Sequence, residues 1–180
     1  AGEQGGFFTH YDLGVMYANG EGVPRDTTEA IRLLRKAAEE GHAGAKVELG
    51  LIYLDGKGVP QDFAEADGWF RNVAEIGYNV AQFHLGAMYY DGQGHSQDYA
   101  EAAKWFRKAA EPTMLYRGVQ IGGHTLAQYF LGVMYSKGRG VPQDNTEAAK
   151  WFRMAAELDD VDSQFALGVM YSHGRGVALD

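Results

Sequence analysis

The stretch that decides the fold is residues 131–157, which read LGVMYSKGRGVPQDNTEAAKWFRMAAE. Its Leu-Gly pair occurs five times, at residues 13–14, 49–50, 85–86, 131–132 and 167–168, with spacings of 36, 36, 46 and 36 residues. A tyrosine follows each of these glycines by three residues, and a Gly-x-Gly follows each tyrosine. Self-similarity at such a period is the signature of a solenoid built from stacked repeats.

Each repeat is predicted to contain two helices, which we name helix A and helix B in chain order. In the second repeat Ala45, Leu49 and Tyr53 are spaced by four residues, which places them on one face of helix A. Gly56 then suits the left-handed position that ends a helix, and Pro60 blocks its continuation. The pattern therefore predicts an antiparallel helix pair in every repeat.

Helix B begins with an acidic residue, and a glutamate follows three residues later. The aspartates are Asp26, Asp62, Asp98 and Asp144, and the glutamates are Glu29, Glu65, Glu101 and Glu147. This spacing resembles a capping box with aspartate as the N-cap residue, which contributes about 1 kcal/mol per helix. A large apolar pair follows, Leu33-Leu34 in the first repeat and Trp-Phe at 69–70, 105–106 and 151–152, and we expect it in the core.

The glycine in the middle of helix A requires an explanation, because glycine costs about 1 kcal/mol relative to alanine in a helix interior. All five repeats keep it. We expect a neighbouring helix to approach closely at this position, where a Cβ would prevent the contact. The small residues of helix B are the predicted partners, namely Ala30, Ala66, Ala102 and Ala148.

Composition excludes several classes of function. The chain carries 24 acidic and 16 basic residues, for a formal net charge of −8. This balance disfavours nucleic acids, whose binding depends on counterion release by Lys and Arg. No apolar run reaches the roughly 18 residues that a membrane-spanning helix needs. Cysteine is absent, which excludes disulfides and thiolate chemistry and leaves the redox compartment open.

The run LGxMYxxGxGVPxD…EAxxWFRxAAE resembles the Sel-1-like repeat (SLR), a relative of the tetratricopeptide repeat, along the whole chain. The resemblance implies an all-α fold, a right-handed α/α superhelix (α-solenoid) of about five tandem antiparallel helix pairs with a concave face. It also implies that the protein functions as an adaptor in protein complexes. The chain departs from the pattern at Leu33-Leu34, at His95-Ser96 and at Asp159. It lacks the cysteines of members that resemble β-lactam-binding or hydrolysing proteins, so that activity is not carried over.

We expect one solenoid over residues 1–180, with repeats at about 5–40, 41–76, 77–122, 123–158 and a partial repeat at 159–180. Both ends fall within a repeat, which predicts a segment of a longer array. The 46-residue spacing places a ten-residue insertion at 112–121, where Pro112 should end the preceding helix. This insertion is either a loop that packs on the adjacent groove or a recognition element presented by Leu115, Tyr116 and Arg117.

A partner-binding face is predicted from helix A positions that differ between repeats. By analogy with the tetratricopeptide repeat, the residues one before, five after and six after the repeated leucine face the concave groove. The predicted contacts are Asp12, Asn19, Glu48, Leu54, Asp55, His84, Tyr90, Asp91, Phe130, Lys137 and His173. Leu54, Tyr90 and Phe130 are the expected apolar anchors. The groove is expected to be acidic toward its N-terminal half and more apolar or basic later.

The sequence predicts no catalytic residue, no metal site and no cofactor. The histidines lack metal-ligand spacing, and His42 and His124 share one repeat position, which indicates a role at the helix start. The Gly-x-Gly loops lack the third glycine and the lysine of nucleotide loops. The predicted function is therefore a scaffold or adaptor that binds a peptide or partner protein on its concave face. The alternatives are a structural subunit of a larger assembly and a β-lactam or cell-wall hydrolase, which would depend on Ser136, Ser172 or His173.

Overall fold

The computed structural model of the protein describes residues 9–114, 120–121 and 123–176, and the regular secondary structure of this part is almost entirely helical. Its helices are α1 (His10–Asn19), α2 (Thr27–Glu39), α3 (Ala43–Asp55), α4 (Phe63–Ala74), α5 (Asn79–Asp91), α6 (Tyr99–Ala110), α7 (Thr125–Lys137), α8 (Asn145–Ala156) and α9 (Val161–Ser172). The odd-numbered helices are the predicted helices A, and the even-numbered ones are the helices B.

The insertion after α6 contains the two short strands of the described chain. β1 (Thr113–Met114) pairs antiparallel with β2 (Gln120–Ile121), with Thr113 opposite Ile121. The sequence predicted either a loop that packs on the adjacent groove or a recognition element here, and the paired ends of the insertion are a finding of the structure. The predicted recognition residues Leu115, Tyr116 and Arg117 lie outside the described residues.

The chain divides into two compact units, residues 1–73 and residues 74–180. In the first unit Leu34, Ala45 and Leu49 form the centre of a core that α1, α2 and α3 share. In the second unit each helix B packs between the helix A of its own repeat and the next helix A, as α8 does with α7 and α9. The repeat period of the sequence therefore corresponds to the same packing of helices within each unit.

Four of the five mid-helix glycines contact a large side chain of helix B, and the prediction of a small-against-small contact with alanine is wrong. A Cβ added to these glycines would lie 2.5–2.8 Å from an atom of the second residue of the apolar pair in the same repeat. The pairs are Gly14 with Leu34, Gly50 with Phe70, Gly86 with Phe106, and Gly132 with Phe152. The side chain of helix B lies directly against the backbone of helix A, and only glycine leaves room for it.

The predicted helix B caps are present, but the capping box is only half formed. Asp26, Asp98 and Asp144 are N-cap residues whose carboxylates accept from the backbone N–H three residues later. The glutamate at that third position pairs with a basic residue further along its helix, as Glu29 does with Arg32 at 2.6 Å. The carboxylate is therefore used for an i,i+3 ion pair, which satisfies it on the helix surface.

A buried glutamine of helix A caps the preceding helix B, a link between repeats that the sequence analysis missed. Gln128 is 3% exposed, and its Nε2 donates to the carbonyl of Ala110 at 3.1 Å. Gln82 and Gln164 occupy the same repeat position and donate to the carbonyls of Ala74 and Ala156 at 2.8 and 3.2 Å. The recurrence of glutamine three residues before the repeated leucine is the signal that could have revealed it.

The repeated tyrosine of helix A forms a second link between successive repeats. Its hydroxyl accepts from an arginine of the preceding helix B in three places, Arg35 to Tyr53 at 2.9 Å, Arg153 to Tyr171 at 2.8 Å, and Arg107 to Tyr135. The Gly-x-Gly loops also contact the preceding repeat. A Cβ on Gly140 would lie 2.2 Å from the carbonyl of Tyr99, so this glycine, at φ +69°, allows a close backbone approach.

Candidate functional site

All eleven predicted contact residues are at least partly accessible. Asn19, Asp55, Asp91, Lys137 and His173 are exposed, and the others are half-buried: Asp12, Glu48, Leu54, His84, Tyr90 and Phe130. They belong to the odd-numbered helices or, for His173, to the residue that follows α9. Each unit therefore presents part of the predicted face. The part in the first unit is mainly acidic, and the part in the second unit contains aromatic side chains, histidine and lysine.

In the first unit a groove of about 220 Å³ between α1 and α3 brings together Asn19, Glu48 and Asp55. Arg25 and Lys57 also line this groove, and the Lys57 Nζ lies 2.5 Å from Asp55 Oδ2. Burial raises the pKa of the Glu48 carboxyl. The groove therefore carries both signs of charge, where the sequence predicted an acidic surface, because the two cations lie on loops outside the helix positions considered.

Asp12 and Leu54 do not line this groove. Asp12 completes a capping box at the start of α1, where its carboxylate accepts from the Thr9 backbone N–H at 3.0 Å and from the Thr9 hydroxyl at 2.6 Å. These hydrogen bonds hold the pKa of Asp12 below its usual value. Leu54 is not among the residues that line the groove between α1 and α3. Of the predicted contacts in this unit, three share a groove and two do not.

In the second unit the structure brings the predicted anchors Tyr90 and Phe130 into direct contact. Their ring centroids are 5.3 Å apart in an edge-to-face arrangement, and Phe130 stacks on buried Phe106 at 5.1 Å. The Tyr90 hydroxyl accepts from Arg139 Nη1 at 3.0 Å. Offset and edge-to-face contacts of this kind fix the rings in place. The two half-buried rings therefore form one rigid aromatic surface across α5 and α7.

The paired histidines serve the starts of their helices, as the sequence predicted. His42 is the N-cap of α3 and its Nδ1 accepts from the Ala45 N–H at 3.2 Å. His124 is the N-cap of α7 and stacks on Phe83 at 4.3 Å. Burial, with a smaller effect of nearby His84, lowers the pKa of His124 to about 4. His124 is therefore a neutral, packed ring at neutral pH.

A groove with a volume of about 650 Å³ lies between α7 and α9 in the second unit. Ala166, the residue before the repeated leucine, lines it. Phe130 holds the same repeat position one repeat earlier, where its ring contacts Tyr90 of α5. The small side chain of Ala166 thus leaves open the space that Phe130 fills between α5 and α7. The other residues of the lining include Val133, Ser136, Lys137, Asp162, Met170 and Arg175.

Sequence reasoning identified only one of the charged residues of this groove, Lys137. It missed Ala166, because a small residue on a variable position gives no positive signal. A comparison of Ala166 with Phe130 at the matched position could have revealed the gap. It also missed Arg175, which lies in the loop after α9.

The serine and histidine candidates for hydrolysis are bound to the helix backbone. Ser172 Oγ donates to the carbonyl of Val169 at 2.9 Å, and His173 Nδ1 lies 2.8 Å from the same oxygen. A carbonyl oxygen only accepts, so the His173 Nδ1 carries the proton and does not act as a base toward Ser172 Oγ at 3.0 Å. Ser136 Oγ likewise donates to the carbonyl of Val133 at 2.9 Å. These contacts stabilise helix ends and do not form a nucleophile–base pair.

Among the described residues, no group of three or more His, Asp or Glu side chains is arranged to hold a metal ion. Within the same residues, every helix is too short or too polar to cross a lipid bilayer.

Known proteins with this architecture share the repeat. Two solved structures are similar to the chain: a protective antigen present in uropathogenic Escherichia coli strains that displays an SLR fold (39% identity, TM-score 0.86), and a Sel1 repeat protein from Oxalobacter formigenes (34% identity, TM-score 0.82). Each match covers 95% of this chain, which spans 34% of the length of the antigen and 66% of the Oxalobacter protein. The α-solenoid of antiparallel helix pairs predicted from the sequence is confirmed as the fold class. A search of curated proteins gave no match.

The family model of the Sel1 repeat matches residues 9–42, 43–78, 79–111, 125–160 and 161–180. Proteins with this repeat generally serve as protein-interaction scaffolds and are typically non-catalytic. With most of its length matched by five consecutive repeats, the chain belongs to the Sel1 repeat family.

Proposed function

We propose that the chain is a non-catalytic scaffold that binds a peptide segment of a partner protein on its helix A faces, with the groove between α7 and α9 as its main site. The observation that carries the proposal is this groove of about 650 Å³, whose lining combines apolar and charged residues. Binding sites combine these features, because apolar burial supplies affinity and a few polar groups fix orientation.

The groove favours a peptide that combines an apolar side chain with an acidic one. The apolar side chain would lie beside Ala166, between Val133 and Met170. Lys137 and Arg175 line the same groove and would attract a carboxylate of the peptide. Charges of this kind contribute more to orientation and specificity than to affinity.

The aromatic surface of Tyr90 and Phe130 is proposed as a second contact region, since both rings are half-buried and held in place. Large rigid rings of this kind supply much of the binding energy in protein interfaces. The remaining predicted contacts stay predictions: Asp12, Asn19, Glu48, Leu54, Asp55, His84, Asp91 and His173.

A displayed peptide library selected on the intact chain tests the proposal, followed by calorimetric titration of the enriched peptides. Ala166→Phe should fill the groove as Phe130 fills the preceding one, and we expect it to weaken binding at least about tenfold. Ile76→Phe is the matched control, because Ile76 is 66% exposed and lies outside the groove. Tyr90→Ala tests the second region in the same titration.

Two results would overturn the assignment. One is a library selection that enriches no peptide on the intact chain. The other is an Ala166→Phe variant that keeps the wild-type fold by circular dichroism and binds the selected peptides as tightly as the wild type does.

A further inference from the structure

The exposed side of α4 carries a glycine that the packing of the described chain does not require. Gly68 is exposed and lies in the interior of the helix, where glycine is less favourable than alanine. An added Cβ would meet nothing within 4 Å among the described residues, unlike one on the mid-helix glycines Gly50 and Gly86. Gly68 therefore makes no room for a neighbouring side chain of the described chain, and its presence needs another explanation.

The other helices B carry a basic residue at the position of Gly68, and that residue pairs with the glutamate three residues earlier. The pairs are Arg32 with Glu29 at 2.6 Å, Lys104 with Glu101 at 2.7 Å, and Lys150 with Glu147 at 3.5 Å. In α4 the glutamate is kept, as Glu65, whereas glycine replaces its cation. The second repeat therefore presents the carboxylate without the basic residue that follows it by three positions in the other repeats.

The tryptophan that follows Gly68 differs in the same way from its counterparts in the third and fourth repeats, where a lysine Nζ lies over the ring. The pairs are Lys108 over Trp105, 4.2 Å from the ring centre, and Lys150 over Trp151, 5.5 Å from it. The matched positions around Trp69 hold Asn72 and Gly68, neither of which is charged. Trp69 is half-buried, whereas each of the other two tryptophans is only 6% exposed. The two substitutions thus leave part of the indole ring accessible.

Four residues of α4 line a notch of about 240 Å³, which we name the Trp69 notch: Glu65, Gly68, Trp69 and Asn72. The Trp69 Nε1 donates to Glu65 Oε1 at 3.1 Å, which holds the carboxylate beside the ring. We propose that the Trp69 notch binds a lysine side chain of a partner polypeptide. The ammonium would pair with Glu65 and lie over the indole ring, as Lys150 does with the matched glutamate and tryptophan of α8.

Two cations of the chain itself lie near the notch, Arg35 and Lys46. Arg35 Nη2 lies 3.4 Å from Glu65 Oε1, the oxygen that also accepts from Trp69, and neither contact uses Oε2. Asn72 Oδ1 accepts from Lys46 Nζ at 2.6 Å, so this amide oxygen is already used. An incoming ammonium would therefore pair with Glu65 Oε2 and lie against the ring, where charge attraction and cation–π attraction both favour it.

The test is an NMR titration of the intact chain with an acetylated and amidated Ala-Lys-Ala peptide, followed through the indole N–H signals of the three tryptophans. Trp69→Leu assigns the Trp69 signal, since Leu33 holds the matched position in α2. We expect this signal to shift saturably, in the millimolar range that a single side chain allows. The signals of Trp105 and Trp151 should shift at least about tenfold less, because lysines of the chain lie over those rings.

Two variants separate the notch from general attraction of the peptide to an acidic chain. Gly68→Ala adds a methyl group that meets nothing within 4 Å in the described chain, so binding should stay within about twofold of wild type. Gly68→Gln covers the ring without changing the net charge and should weaken binding at least about tenfold. Both replacements favour a helix more than glycine does, so both variants should fold. The peptide with norleucine in place of lysine should leave the Trp69 signal unshifted.

Three results would overturn the inference: no shift of the Trp69 signal with the lysine peptide, an equal shift with the norleucine peptide, or equal binding by the Gly68→Gln protein. The second result would make the notch an apolar site. Peptides selected on the groove between α7 and α9 should bind Gly68→Gln as tightly as the wild type, because none of the residues that line that groove lies on α4. The failure of either proposal would therefore leave the other standing.

Discussion

At the residue scale, the glycine of helix A shows how a single missing methyl group sets the packing of a repeat. The Phe106 ring would lie 2.6 Å from a Cβ on Gly86, and the Phe152 ring would lie equally close to one on Gly132. Such distances are well inside van der Waals contact, so a side chain there forces the ring or the helix to move. The loss of helix propensity at glycine is offset by the burial of a whole phenylalanine, about 1.5–3 kcal/mol.

Gly132→Ala is therefore expected to destabilise the protein, although alanine is the better helix former. Overpacking against Phe152 costs about 1–3 kcal/mol, and the gain in helix propensity offsets at most about 1 kcal/mol of it. Gly168→Ala is the matched control, because its methyl group would meet nothing within 4 Å among the described residues and should leave stability unchanged or higher. Urea unfolding midpoints of the two variants measure the difference. Equal midpoints would show that the glycine contact does not limit the packing.

The buried histidine at the start of α7 should make stability depend on pH. Burial lowers the pKa of His124 from 6.5 to about 4, with a smaller effect of nearby His84. Unfolding therefore takes up a proton between these two values, and stability should fall as the pH decreases from 6.5 to 4. The ring is partly accessible, so the expected loss is about 1–2 kcal/mol, less than the full shift would give.

His124→Tyr isolates this contribution, because Tyr78 already occupies the equivalent N-cap position at the start of α5. The variant should show a flatter dependence of the unfolding midpoint on pH over this window, while carboxylates affect both proteins alike. Parallel curves for the two proteins would mean that His124 is protonated equally in the folded and unfolded chain.

At the element scale, the helices and their caps could be predicted from sequence because they depend on local spacing. Asp144 and Gly138 act where a helix begins and ends, and their chemistry does not depend on distant residues. The partner of the mid-helix glycine could not be predicted this way. Both Ala148 and Phe152 recur at helical spacing and both are buried, so periodicity does not show which of them contacts the glycine. Which of the two residues contacts the glycine depends on how far the two helices are shifted along their axes.

The glutamine that joins repeats gives a prediction at this same scale. Gln128→Met keeps the length of the side chain but leaves the Ala110 carbonyl without its donor, and we expect a loss of about 1–2 kcal/mol. Gln164→Met removes the equivalent bond to Ala156, but Gln164 is exposed and water can replace the donor. Its expected loss is below about 0.5 kcal/mol. Similar losses in urea unfolding would show that burial does not decide the strength of this link.

At the scale of the whole molecule, sequence reasoning identified the faces of helix A but not the depth of the grooves between them. Tyr90 and Phe130 could be placed on related positions, yet their contact depends on how α5 and α7 stack. The groove between α7 and α9 depends on one small residue, Ala166. Its importance becomes clear only when it is compared with Phe130 at the matched repeat position. A net charge of −8 likewise says nothing about the cations Lys137 and Arg175 in the lining of that groove.

The helices A differ in how many of their residues are buried, and this difference predicts different local stabilities. In α7 five residues are buried, Ala127, Gln128, Leu131, Gly132 and Met134, whereas α9 buries only Ser163 and Met170. Because local stability depends on buried contacts, α9 should open more readily than α7. Backbone amides of α9 are expected to exchange at least about tenfold faster than those of α7, as measured by hydrogen–deuterium exchange with mass spectrometry. The similar sequences of the two helices make the comparison internal. Equal protection would mean that the smaller number of buried residues in α9 does not lower its local stability.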